Sequence, residues 1–145
     1  MKLMKFDITA KSKSRTKVEV VARDFKMTID EPAHLGGEDH GATPVEYLLG
    51  ALAGCLNVVG HMVAKEMNFD FNGLEIKIEG GLNPAKFVGK PSDERTGFQF
   101  IDVKIRPETN ANPEILAEWL KKVEERCPVS DNIANATPIK IALMD

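Results

Sequence analysis

Cysteine is nearly absent from this chain: Cys55 and Cys127 are the only two among 145 residues. With no export signal beside them, two isolated thiols point to a reducing cytoplasm, where a disulfide is transient rather than structural. An excess of charge of either sign is also missing. The formal net charge is −3, and lysines and glutamates are interspersed, which gives neither nucleic acid nor an anionic membrane a reason to bind. The opening Met-Lys-Leu-Met-Lys-Phe-Asp has no apolar core long enough for a signal peptide. Repeats and low-complexity tracts are lacking too. Histidine is sparse: His34 and His40 lie in a glycine-rich loop with Glu38 and Asp39, a spacing that defines no metal site. His61 follows Cys55 by six positions, about 240° round a helix, and so does not join the thiol. Gly36-Gly37 is followed by no Lys-Ser/Thr and is not a phosphate loop. No metal and no cofactor are expected.

What is present is ordinary globular composition, 43% hydrophobic and 28% charged, enough for one domain over residues 1–145 with a core of its own. The stretch Tyr47–Ala64 is 18 residues without a formal charge and contains Gly50-xxx-Gly54, the lower edge of a membrane span. Asn57 and His61 in its middle, and polar strands on both sides, make it instead the buried centre of a soluble fold, with no membrane partner.

Strand character falls at residues 2–9 and 16–22, and Phe25, Met27 and Ile29 alternate after a turn at Arg23-Asp24. A loop rich in breakers covers residues 31–41. Thr43-Pro44, with Glu46 three residues after the cap, starts a helix that runs to about Met67. Further strands are expected at Leu74–Glu79, Phe98–Ile105 and Pro138–Leu143, with an exposed loop at residues 83–97. Asn112-Pro113 opens a second helix in which Ile115, Trp119, Val123 and Cys127 recur every four residues; Val129–Ala134 follows as a short turn. Trp119, Phe98 and Phe100 read as core or pocket wall, and Met27, Met62 and Met67 as core filling. Short turns between the early strands favour an antiparallel α+β fold. The first long helix carries two apolar stripes, Leu48/Leu52/Cys55/Val59/Met62 and Leu49/Ala53/Leu56/Val63. Packing two such helices together in a homodimer would cover both.

A free cysteine is also a good hydrophobe, so plain packing explains either thiol alone. Redox chemistry needs a thiolate, a reachable electrophile and a second thiol. Cys55 lies about three turns into its helix, too far for the helix dipole to act. A cation must come from another element, and an arginine stays charged when buried. The supply is Arg15, Arg23, Arg95, Arg106 and Arg126.

Gly36-Gly-Glu-Asp-His-Gly-Ala-Thr-Pro-Val-Glu-Tyr-Leu-Leu-Gly-Ala-Leu-Ala-Gly-Cys55, the later Cys127-Pro-Val-Ser130 and the closing Pro-Ile-Lys-Ile-Ala-Leu143 resemble the OsmC/Ohr family of thiol-dependent peroxidases. The resemblance implies an α+β fold with antiparallel sheets around two long central helices in an intertwined homodimer. It also implies reduction of organic hydroperoxides, and of hydrogen peroxide, without a bound cofactor. On that reading Cys55 becomes a sulfenic acid, Cys127 resolves it as a disulfide, and an external dithiol reopens the bond. Arg15, with Arg23 in reserve, takes the place of the activating arginine, and Glu46 that of the acid orienting it. Here the chain departs from the family pattern, in which the glutamate directly follows the proline. Val45 holds that place, and Glu46, nine positions before Cys55, falls about 180° round the helix from it. A capping box with Thr43 then suits Glu46 better, and Glu38 or Asp39 are alternative orienting acids. A binding or redox-sensing module on the same scaffold is the alternative function.

Overall fold

Alternating β-branched and polar side chains in the first 48 residues build a three-stranded antiparallel sheet in the computed structural model, which describes residues 1–145. Its strands are β1 (Thr9–Ser12), β2 (Val18–Ala22) and β3 (Phe25–Ile29). Arg23, at φ +55°, reverses the chain so that Ala22 pairs with Phe25. Val20, central in the middle strand, is the buried apolar residue of this sheet.

The loop after β3 is organised by one carboxylate. Asp30 is completely buried. Its Oδ1 accepts from the Thr16 hydroxyl at 2.8 Å and from the Glu31 N–H at 2.8 Å, and its Oδ2 from the Glu38 and His40 N–H groups, both at 3.2 Å. A 3₁₀ turn, Ala33–Leu35, closes on Gly36 at φ +85°, a left-handed conformation that costs glycine nothing. Gly37 follows so close to the chain that an added Cβ would lie 1.7 Å from the Glu31 carbonyl oxygen. The two glycines are therefore parts of a tight loop.

Helix α1 (Pro44–Glu66) begins with Thr43 and Glu46 capping one another: the Glu46 N–H donates to Thr43 Oγ1 at 3.3 Å, and the Thr43 N–H to Glu46 Oε2 at 2.7 Å. The Tyr47 hydroxyl donates to the Thr28 carbonyl at 2.8 Å, fixing the first turn to β3. Residues 1–48 and 49–145 form two compact units, and α1 runs through the division.

In the second unit the antiparallel pair β4 (Leu74–Leu82) and β5 (Phe98–Pro107) turns Ile76, Ile78, Ile101 and Ile105 toward a core of Leu52, Leu56, Val59, Val63, Phe71, Trp119, Val123 and Cys127. Helix α1 is long and apolar enough to cross a membrane, yet its buried residues serve this core. Helix α2 (Pro113–Arg126) starts at Asn112, whose Oδ1 accepts from the Ile115 N–H at 2.9 Å, with Pro113 in the first turn. Buried Trp119 donates its indole N–H to the Gly60 carbonyl at 2.8 Å, tying α2 to α1. Phe100 is half exposed on the outer face of β5, and Met62 is exposed on α1; neither fills the core.

Three expectations change. The first strand is Thr9–Ser12 and not residues 2–9: β2 offers partners only for Thr9 to Ser12, and Leu3, Met4 and Phe6 stand exposed. Residues 138–143 form no strand, because nothing in the chain pairs with them, and Ile139, Ile141 and Leu143 are 81%, 93% and 100% exposed. The segment after Cys127 is a short helix, α3 (Pro128–Ala134), rather than a turn; Cys127 ends α2 as its cap and at the same time caps the start of α3.

Candidate active site

Cys55 projects from the middle of α1 and Cys127 from the α2–α3 junction, and both pack on one core. The two thiols are free, and Cys55 packs against the core that holds Cys127. Cys55 is partly exposed, whereas Cys127 retains 2% of its surface. Pro128 begins α3 directly after Cys127, so the sulfur takes the capping position and accepts from the Ser130 N–H at 3.4 Å. Burial pushes the Cys127 thiol above its ordinary pKa. The Ser130 N–H pulls it back and the Cys55 thiol beside it adds to the rise. A two-pronged ion pair brackets the arrangement: Arg126, next to Cys127, donates to both oxygens of Glu66, at 2.5 and 3.1 Å. In the same unit a cavity of about 460 Å³ opens among Leu52, Leu56, Ile101, Ile105, Trp119 and Ile133, with Ser130 in its wall. None of Met27, Met62 or Met67 lines it.

Arg15 sits in the β1–β2 turn, exposed, and its side chain has no hydrogen-bond or acidic partner. The turn itself is pinned by its neighbours: Thr16 to Asp30, and Lys17 to Glu38 and to His40 Nδ1, the latter at 3.1 Å. Glu38 is thus engaged by Lys17, whose ammonium holds its carboxyl below the usual range. Glu46 is held low by the Thr43 N–H and hydroxyl, both on Oε2; its Oε1 carries no bond. Arg23 lies over the Phe25 ring, 5.0 Å from its centroid. Arg106 pairs with Glu75.

Asp30, Glu38 and His40 bring their donor atoms within 4.8 Å of one another, the spacing of a metal-ligand set. Lys17 already places a cation against Glu38 and His40, and both Asp30 oxygens are saturated by N–H and O–H donors, so the chain supplies its own counter-charge. No sequence pattern marks this cluster, since its members converge from two turns and a strand end.

A partly exposed thiol on α1 and a buried second thiol at the α2–α3 junction thus share one core in an antiparallel α+β fold. Residues 36–142 match the family described as OsmC-like protein, and the chain belongs to that family. It is 24% identical over 137 residues to a hydroperoxide reductase of Mycoplasma genitalium, covering 94% of this chain and 92% of that protein. The fold is similar to an OsmC-like protein of Mycoplasma pneumoniae, with a TM-score of 0.79, 23% identity, and 90% and 88% of the two chains covered. An organic hydroperoxide resistance protein OsmC of Legionella pneumophila superposes with a TM-score of 0.65, 20% identity, and 92% and 91% coverage.

Proposed function

We propose that this protein is a thiol-dependent peroxidase that reduces organic hydroperoxides, and hydrogen peroxide, through Cys55 and Cys127. The observation carrying this reading is the packing of the two thiols, 72 positions apart in sequence, on one core, with one partly exposed and one buried. The Cys55 thiolate attacks the distal oxygen of the hydroperoxide, the O–O bond breaks, and the alkoxide leaves to take up a proton as the alcohol. The resulting sulfenic acid condenses with the Cys127 thiol, releasing water and forming the disulfide. A dithiol of the reducing cytoplasm then restores both thiols. By the family resemblance alone, Arg15 takes the role of the activating arginine and Glu46 that of the orienting acid.

The functional unit is a homodimer. Val58 and Met62 on α1 are half exposed, an added Cβ at Gly54 would meet nothing within 4 Å, and Ile139, Ile141 and Leu143 lie bare. A soluble chain rarely leaves so much apolar surface unpaired.

One equivalent of an organic hydroperoxide should remove two hydrogens from the wild-type mass, and Cys127→Ser should accumulate sulfenic or sulfinic acid. Cys55→Ser should abolish turnover. If both wild-type thiols stay reduced, the peroxidase reading is wrong. The engagement of Glu46 by Thr43 favours a second reading, a binding or redox-sensing module without efficient turnover. Alkylation of Cys55 at neutral pH as slow as that of a free cysteine, together with absent turnover, would support it.

A further inference from the structure

The two sulfurs of this pair are not equivalent toward an external reductant. Cys127 is 2% exposed, enclosed with Val63, Trp119 and Val123 in the same core. Docking of a second chain adds burial and never removes it, so Cys127 stays closed in any assembly that keeps this fold. Cys55 lies at the edge of that core and retains surface. Thiol–disulfide exchange requires the attacking thiolate to approach from behind the sulfur it attacks, opposite the bond that breaks. Cys127, at 2% exposure among core side chains, offers such an approach almost no open surface, whereas Cys55 does.

We infer that the disulfide between Cys55 and Cys127 is reduced with fixed polarity: the reductant attacks Cys55, and Cys127 is always the leaving sulfur. This rests on the proposed pairing of the two thiols. One thiolate of an external dithiol forms a bond to Cys55 Sγ. The Cys55–Cys127 bond breaks, and its electron pair passes to Cys127 Sγ. The second thiol of the reductant, deprotonated, then attacks the reductant's own sulfur in the mixed disulfide and expels the Cys55 thiolate. The dithiol is oxidised to a disulfide, both protein cysteines are reduced, and the two protons lost by the dithiol balance the two thiolates.

Leaving-group strength runs against this order, because a buried thiol whose pKa is raised leaves more slowly. Access outweighs it: a poorer leaving group slows exchange, but an atom without an approach path does not exchange at all. The Ser130 N–H, already 3.4 Å from Cys127 Sγ, receives the charge as it appears. Protonation then follows readily in this buried setting. A protonated Cys127 is a poor nucleophile toward the mixed disulfide it has just left, so the cycle runs forward.

The test uses the full-length protein with its disulfide closed by diamide, so that it does not depend on peroxide reactivity. A small monothiol, cysteamine, is added, and the reaction is stopped within seconds by acid; the chain is then unfolded in denaturant with excess N-ethylmaleimide, so that the buried thiol is also labelled, before peptide mass mapping. The cysteamine adduct should sit on Cys55 and the maleimide on Cys127, with the reverse labelling about tenfold rarer or less. Cysteamine on Cys127, or shared equally, would overturn the polarity while leaving the peroxidase reading intact. Failure of diamide to close the pair would overturn the polarity outright. A diamide-closed disulfide that no hydroperoxide can form would overturn the peroxidase reading alone.

Discussion

Asp30 shows how a single carboxylate can set the chemistry of a loop. Burial alone would raise its pKa, but the Thr16 hydroxyl and the N–H groups of Glu31, His40 and Glu38 outweigh burial and bring it down to about 2 from 3.8. A group whose folded pKa is depressed stabilises the fold above its unfolded pKa, and that contribution disappears as pH falls through the folded value. The window for Asp30 therefore lies between about 4 and about 2. Asp30→Asn should lower the thermal midpoint at neutral pH, and the gap to wild type should narrow as pH drops through that window. A gap unchanged down to pH 2 would show that the carboxylate charge is not what holds the loop. Gly37 argues the same loop from sterics. Gly37→Ala drives a methyl into the Glu31 carbonyl, so it should destabilise the chain although the residue is far from the main core. Neither role could be read from the sequence: four donors reach Asp30 from positions as far apart as Thr16 and His40, and no periodicity encodes such convergence.

At the scale of elements the picture reverses, because helix starts are local events. Thr43-Pro44 with Glu46, and Asn112-Pro113, announced α1 and α2, and the structure shows the corresponding caps. Removing the first, by Thr43→Ala, should cost about 1 kcal/mol of unfolding free energy in urea titration. Inside the core, Leu56 is 5% exposed against β5 and α2, and Leu56→Ala should cost about 2–5 kcal/mol by the same measurement. Trp119→Phe should cost less, about 1–3 kcal/mol, through the lost bond to Gly60. The paired thiols illustrate the limit of local reading. Each cysteine could be placed on its helix by periodicity, but their adjacency depends on how α2 crosses α1, and only the family resemblance carried it from the sequence. Access to each sulfur was less legible still. The stripe pattern treats both as inward, whereas Cys55 keeps surface and Cys127 caps a helix that the sequence had suggested only as a turn.

The two misplaced strands belong to the scale of the whole molecule. Residues 138–143 alternate Ile139, Ile141 and Leu143 with polar or small neighbours, the pattern of a half-buried strand, yet the segment has no ladder in its own chain. Periodicity reports that a strand is wanted; it is silent on where the partner lies. Leu3, Met4, Phe6 and Ile8 pose the same question at the other end. An unpaired strand with bare isoleucines is an aggregation hazard unless something covers it, and a second copy of the chain is the economical cover for both ends. A chain ending at Thr137 should therefore sediment as a monomer, or associate nonspecifically, where the full-length protein sediments as a dimer. Hydrogen exchange gives an independent readout: amides at residues 139–143 should be protected in the full-length protein at micromolar concentration and lose protection on dilution to monomer. Full-length protein that sediments as a monomer with these amides unprotected would refute the homodimer. The two thiols would then have to work within one chain.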